Sequence, residues 1–462
     1  MANRLPPTES YTFDPLDPNA VFKAYDVRGR ADTGELDEDL YRLIGCGLVT
    51  HLGARTVAIG RDCRETSPSF ARALGDGIVS AGGNVVDIGE VPTDVVYYYS
   101  GAEEVHGAAV TASHNPPAYN GLKLCRPGAA PIGAETGLAE LKQAVIDGVM
   151  PSGASPGKRS TAEVVDDYVD HLFGIVPSTS IGPLSIAVDG GNGMAGVAVE
   201  KVFDRIAASL SGLYLEPDGT FPNHPADPLV PENLEDLREL LTFGEFDFGV
   251  AFDGDADRAA FLDDQGQALS GSTVTSLIAR RILEDNPGAR VVHNLITSKA
   301  VPEIVSDAGG EPIRTRVGHS YIKQVMADTG AVFGGEHSGH YYFRDNYRAD
   351  SGMLATLYLL RIVSEDGRRL SQIRADVERY AASGEINFEV EDVEATMSRV
   401  AREFADANVD HLDGLTVDFG REWFNLRPSN TEPLLRLNAE AADQVAVSEL
   451  VGRVSSVVEE TT

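Results

Sequence analysis

The sequence predicts an α/β protein: three units that alternate strands and helices, followed by a smaller α+β unit. Three observations carry this. Short apolar runs such as Thr56–Gly60, Leu184–Val188 and Arg290–Leu295 alternate with helix-length stretches, which implies largely parallel strand pairing. Each of these units delivers a polar loop directly after an apolar strand, where open α/β sheets collect ligands. Beyond residue 376 the rhythm changes to several strands and only two helices. The expected units are 1–158, 159–268, 269–376 and 377–462, with the first boundary at the turn-rich Met150-Pro-Ser-Gly-Ala-Ser-Pro-Gly157.

The bulk numbers exclude several function classes. With 462 residues the chain can bury several cores. Its 71 acidic and 38 basic residues give a net charge of −33, so broad binding to nucleic acid or anionic membrane is not expected. An anionic substrate would need cations gathered locally. Cys46, Cys63 and Cys125 have no metal-binding spacing and read as reduced, cytoplasmic thiols. The opening residues lack an apolar signal core, and the longest apolar run, near Met353–Leu360, is too short to span a bilayer.

Residues 1 to about 18 are polar and Pro-rich and read as a loosely ordered lead-in. Phe22–Gly29 follows, then a helix through Leu40–Leu52, a strand Thr56–Gly60, a helix Pro68–Ser80, a strand Asn84–Ile88 and a helix Asp94–Ser100. The small apolar run Gly107–Thr111 is a buried strand ending in Ala112-Ser113-His114-Asn-Pro-Pro, a turn that Lys123 closes with a cation. The second unit is expected to hold a helix Thr161–Val176, a strand Leu184–Val188 and the glycine-rich turn Asp189–Gly193 leading into a helix Met194–Ile206. Its strand Phe248–Phe252 runs into Asp253-Gly-Asp-Ala-Asp-Arg258. In the third unit come helices Thr273–Leu283 and Lys299–Ser306, strands Arg290–Leu295 and Pro312–Val317, the loop Gly335-Glu-His-Ser-Gly-His340, and a helix Gly352–Ser364. The last unit reads as a strand Glu385–Val390, a helix Val393–Asn408, strands Leu415–Phe419, Trp423–Leu426 and Leu434–Leu437, and a closing helix Val445–Val458.

Four stretches carry chemistry. Asp253, Asp255 and Asp257 stand at i, i+2 and i+4, which in an extended segment puts three carboxylates on one side. Such a set suits a hard cation such as Mg2+, which keeps positions free for phosphate; the bland alternative is an exposed acidic turn. Arg427-Pro-Ser-Asn-Thr431 packs a guanidinium, two hydroxyls and an amide, each able to bind phosphate oxygens. Glu336, Ser338 and His340 suit sugar hydroxyls and proton transfer. Ser113 beside His114 suggests a nucleophile, but no hydrolase elbow surrounds it. The turn Asp189–Gly193 can cradle a phosphate or be a plain tight turn.

Taken together, Lys23–Gly29, Thr111–Lys123, Asp253–Arg258, Gly335–His340 and Arg427–Thr431 resemble the α-D-phosphohexomutase superfamily in order and spacing along almost the whole chain. The resemblance implies four domains around a central cleft. It implies that Ser113 is a phosphoserine, and that Asp253, Asp255 and Asp257 hold Mg2+ together with its phosphate. Arg28, Lys123 and Arg258 would surround the transferring phosphoryl group, and His340 or Lys123 would move the proton. Glu336 and Ser338 would grip sugar hydroxyls; Arg427, Ser429, Asn430 and Thr431 would bind the non-reacting phosphate, with Lys299 and His319 nearby. A hexose 1,6-bisphosphate would serve as intermediate and activator. His337 in the central loop, with Thr-Ala-Ser-His around Ser113, resembles the phosphomannomutase and dual phosphomannomutase/phosphoglucomutase branch and not the glucosamine-phosphate mutases. The expected partners are hexose phosphates, with the protein a monomer or dimer. A phosphoglucosamine mutase, a Mg2+-dependent sugar phosphatase and a silent sugar-phosphate binder are the rival readings.

Overall fold

The computed structural model describes residues 17–148, 155–428 and 434–460. The first sheet runs in the order Val27–Arg30, Tyr119–Arg126, His106–Val110, Thr56–Arg61, Asn84–Glu90 and Arg159–Thr161. The second runs Ala259–Asp263, Phe248–Phe252, Ser185–Asp189 and Ser209–Leu213; the third runs Tyr341–Phe343, Phe333–Gly335, Arg290–Asn294 and Glu311–Thr315.

All three share one plan. The first strand of the four has the second on one side and the third on the other, both parallel to it, and the fourth returns antiparallel to the third. The first unit adds Val27–Arg30 and Arg159–Thr161 at its edges. The third strands, His106–Val110, Phe248–Phe252 and Phe333–Gly335, are wholly buried, as expected of strands covered on both faces. Each turn from third to fourth strand carries one of the polar loops noted above.

The fourth unit is an antiparallel sheet in the order Ala381–Glu389, Leu434–Ala441, Trp423–Pro428, Leu415–Asp418 and Asn408–Asp410, with helices Val393–Glu403 and Gln444–Glu459. Its core, around Leu415, Phe424, Leu437 and Leu450, stands apart. A continuous apolar cluster from Val95 through Tyr168 and Val250 to Leu357 joins the other three units, beside smaller clusters within each, such as that around Leu40 and Leu141 in the first.

Several expectations need correction. Tyr119–Arg126 is a strand, so Lys123 is delivered by a sheet and not by a turn. The helix expected over Thr161–Val176 spans Val165–Ile175, because Arg159–Thr161 pairs with Asn84–Glu90 and completes the first sheet. The helix expected over Val393–Asn408 ends at Glu403; Asn408–Asp410 is an edge strand paired with Leu415–Asp418. Pro18–Val21 forms a short helix with Asp17 accepting from the Asn19 amide, while residues 1–16 and most of the turn-rich boundary at 150–157 lie outside the described residues. Among the described residues, no helix is long and apolar enough to cross a membrane.

Candidate functional site

The Ser113 turn and the Asp253–Arg258 turn meet face to face. Ser113 Oγ donates to Asp253 Oδ2 at 2.7 Å. A Cβ on Gly254 would lie 2.4 Å from the Ser113 carbonyl oxygen, so only glycine allows this approach. Ser113 itself has a left-handed φ of 52°; a strained serine at a strand end is common where a site over-determines its backbone. His114 Nδ1 lies 3.2 Å from Ser113 Oγ. Burial, with the charges of Arg258 and Arg28, pushes that imidazole down to about 2, so it stays neutral.

Asp253, Asp255 and Asp257 are all buried, and each offers an oxygen within 4.8 Å of the others. Arg258 Nε donates to Asp253 Oδ2 at 3.0 Å. Lys123 Nζ donates to Asp255 Oδ2 at 2.6 Å and Asp257 Oδ2 at 2.5 Å. Burial and the two neighbouring carboxylates push Asp253 up to about 7, despite Arg258. Burial and Asp255 also raise Asp257. Burial would raise Asp255 too, but the Lys123 ammonium outweighs it and holds that carboxyl below its usual range. One cation is thus shared by two carboxylates, while the third, Asp253, is paired with Arg258. Among the described residues, Asp255 Oδ1 and Asp257 Oδ1 are buried without a hydrogen-bond partner, as is Arg258 Nη2. Two bare carboxylate oxygens fit a hard divalent cation, and the bare guanidinium N–H fits an anion beside it.

The other expected residues are placed as follows. Arg28 donates to the Ala112 carbonyl at 2.8 Å, to Asn115 Oδ1 at 2.5 Å and to Asp26 at 2.5 Å, leaving its buried Nε unpaired. His340 Nε2 lies 3.8 Å from both Asp257 and Asp350, and Ser338 Oγ lies 3.1 Å from His340 Nδ1. Glu336 is buried and held by Tyr342 at 2.5 Å and Asn294 at 3.1 Å. The His319 ring packs edge-on against Tyr25, 5.0 Å between centroids; burial pushes His319 down to about 3. Arg427 pairs with Glu385 at 3.2 Å and keeps a buried, unpaired Nε. Ser429, Asn430 and Thr431 lie outside the described residues.

Two of the expected groups have their donors engaged elsewhere. Lys299 Nζ is engaged by Asp418 at 2.5 Å and the Gly420 carbonyl at 2.8 Å, so it joins the third unit to the fourth. The Asp189–Gly193 turn is no phosphate cradle, because its amides are spent. Gly190, Asn192, Gly193 and Met194 donate to backbone carbonyls and Gly191 to Asp189. The turn is a buttress: a Cβ on Gly193 would strike the Gly254 backbone at 2.6 Å.

Sequence reasoning missed the residues that hold these groups in place. Thr93 donates to Asp255 Oδ2 at 2.6 Å. Lys323, buried over the Tyr97 ring at 4.1 Å, pairs with Asp350 at 2.7 Å. Tyr25 was legible only as part of Lys23–Gly29. Thr93 and Lys323 stand in no motif; each reaches a partner in another unit, Asp255 and the Tyr97 ring, and no local spacing announces it.

The four units and their order match known proteins. Four models of the phosphoglucomutase/phosphomannomutase family match in order: alpha/beta/alpha domain I over residues 19–148, domain II over 166–266, domain III over 270–380 and the C-terminal domain over 385–457. The chain is 40% identical over 433 residues to a protein of Xanthomonas campestris pv. campestris named for phosphohexose mutases, covering 93% of this chain and 96% of that one. It is 38% identical over 439 residues to a phosphomannomutase of Escherichia coli K12, with the same coverage. The crystal structure of a phosphoglucomutase/phosphomannomutase family protein from Burkholderia thailandensis superposes with a TM-score of 0.86 at 31% identity, over 96% of this chain and 98% of that chain. With the same four domains in the same order, and a serine turn set against an acidic turn, the chain belongs to the phosphoglucomutase/phosphomannomutase family of the α-D-phosphohexomutase superfamily and is a phosphohexomutase.

Proposed function

We propose that the protein interconverts mannose 1-phosphate and mannose 6-phosphate, and acts on glucose phosphates as well. The observation that carries this is Ser113 Oγ, 2.7 Å from Asp253 in a buried triad with two unpaired carboxylate oxygens. Mannose and glucose differ only at C2, and one hydroxyl need not be strongly discriminated. The relatives named phosphomannomutase support the substrate class.

In this reading phosphorylated Ser113 gives its phosphoryl group to the free hydroxyl of a hexose monophosphate. The hexose 1,6-bisphosphate turns over in the cleft and returns its other phosphate to Ser113, so each cycle regenerates the enzyme. Phosphoryl transfer demands positioning and charge compensation more than covalent help. Asp253, Asp255 and Asp257 would hold Mg2+, which when bound offsets charge on the phosphoryl oxygens. The Nη2 of Arg258 and the Nε of Arg28, unpaired among the described residues, would bind the same phosphoryl group from the protein side. Lys123, or His340 near Asp257, holds the proton of the attacking hydroxyl. Glu336 and Ser338 take the sugar hydroxyls; Arg427, with Ser429, Asn430 and Thr431, takes the distal phosphate. His319 would stand near the sugar phosphate, whereas Lys299 would reach it only if its pair with Asp418 opens.

The test is turnover of mannose 1-phosphate with Mg2+ and a trace of hexose 1,6-bisphosphate, with intact mass before and after. The parent gains one phosphoryl group and forms mannose 6-phosphate; Ser113→Ala loses both, a fall of about 10³-fold or more. Free phosphate without the 6-phosphate would establish a phosphatase instead. No turnover of any hexose phosphate would establish a silent binder.

A further inference from the structure

Arg64 has the largest of the fully buried side chains, at 1% exposure, yet it sits outside every motif above. Burying a guanidinium is costly unless each N–H finds an acceptor. All five do. Nη2 donates to the carbonyls of Ser113 at 2.8 Å and Asn115 at 2.6 Å. Nη1 donates to those of Pro116 at 2.7 Å and Tyr119 at 3.0 Å. Nε donates to Asp62 Oδ2 at 3.0 Å. No donor remains for a phosphate, so this cation does not serve anion binding. Its four carbonyl partners instead span the serine turn from its nucleophile to the start of the returning strand.

The second unit closes over the back of this anchor. The Phe221 ring covers the guanidinium at 5.0 Å, and a Cβ on Gly219 would strike the Cys63 carbonyl at 2.4 Å and Arg64 Cα at 2.5 Å. Asp227, on the same stretch of chain, faces Arg258 at 3.9 Å. The residues gripping the serine turn and those gripping the acidic turn are therefore fixed against one another.

We propose that Arg64 is a positioning residue for the phosphoryl carrier, holding Ser113 in its left-handed conformation so that Oγ faces Asp253. This rests on the reading of Ser113 as that carrier. Lysine cannot replace it: an ammonium has three donors on one atom, whereas the guanidinium spreads five across a plane.

The experiment compares the full-length parent with Arg64→Lys. Ser113 phosphorylation by hexose 1,6-bisphosphate is followed by intact mass, hydrogen exchange of the 112–119 segment is measured, and kcat and KM are obtained for mannose 1-phosphate. Arg64→Lys is expected to phosphorylate at least about tenfold more slowly and to lose kcat in proportion, with KM within about twofold. Exchange over 112–119 rises while the rest of the chain is unchanged. Phosphorylation at the parent rate, or a change confined to KM, overturns the role. Should the variant fail to melt cooperatively, Phe221→Leu decides, since it keeps all five hydrogen bonds but uncovers the guanidinium. Faster exchange over 112–119 with a lower kcat supports the role, and unchanged values overturn it. A parent that never gains a phosphoryl group overturns the reading of Ser113, and this role with it.

Discussion

Lys123 is the residue on which the electrostatics of the acidic turn depend. Its ammonium touches two of three buried carboxylates, and its own proton is held above the usual lysine range because those carboxylates outweigh burial. Replacing one partner of a buried ion pair leaves the other uncompensated, typically at about 3–5 kcal/mol. Lys123→Met, which keeps the length of the stem, should therefore lose stability on that scale in EDTA. Mg2+ should restore much of the loss, since a divalent cation between Asp255 and Asp257 replaces the missing charge. Thermal melts of parent and variant with and without Mg2+ check this. Equal losses in EDTA and in Mg2+ would mean that the carboxylates do not receive the ion.

At the scale of elements, the same turn has been used three times. In each of the first three units it joins the buried third strand to the antiparallel fourth, and its backbone is left free to carry unusual conformations. Ser113 and Ala256 have positive φ in two of these turns and Gly339 in the third. These turns were legible in the sequence because glycine and polar residues interrupt apolar strands there. The returning strands were less so. Tyr119–Arg126 contains Asn120, Gly121 and Lys123 and shows no clean alternation, because its polar side chains are paired by partners from elsewhere: Asn120 by Thr66 and Ser67, and Lys123 by the acidic turn. The helix Val393–Glu403 was overextended because Ala405 and Ala407 continue a helical composition that tertiary pairing of Asn408–Asp410 overrides. Arg64 and Thr93 were invisible for the same reason: apart from Asp62, the partners of Arg64 begin 49 positions away, and Thr93 meets Asp255 162 positions away. The close contact between turns gives a direct test. Gly254→Ala inserts a methyl group at 2.4 Å from the Ser113 carbonyl, and the two turns must part. A displacement of about 1 Å between the proposed phosphoryl donor and the proposed metal ligands costs on the order of 10²-fold in rate. We expect kcat to fall by about that factor, while circular dichroism still reports a folded protein. A kcat at the parent level would show that the turns can separate without consequence.

Across the whole molecule, the three repeated units meet at one buried carboxylate. Asp94 comes from the first unit, and its Oδ2 accepts from Tyr168 of the second and from Ser351 of the third at 2.9 Å. Burial pushes this carboxyl up to about 7, against the two hydroxyls that favour its ionised form. The sign of the linkage follows. In the unfolded chain Asp94 loses its proton near pH 4, while in the folded protein it keeps it until about pH 7. The unfolded state therefore binds fewer protons across that window, and the group's contribution to stability falls as pH rises from about 4 to about 7 and is then constant. Asp94→Asn keeps a neutral side chain of the same shape at every pH. Relative to the parent it should gain stability between pH 5 and pH 8, by on the order of 2–3 kcal/mol for a shift of this size. Paired denaturant titrations of the two proteins isolate the term, because every other ionisable group is common to both. A stability difference that stays flat from pH 5 to pH 8 would place an ionised Asp94 at the junction throughout, and the three units would then meet on a buried charge neutralised by groups other than its two hydroxyl donors.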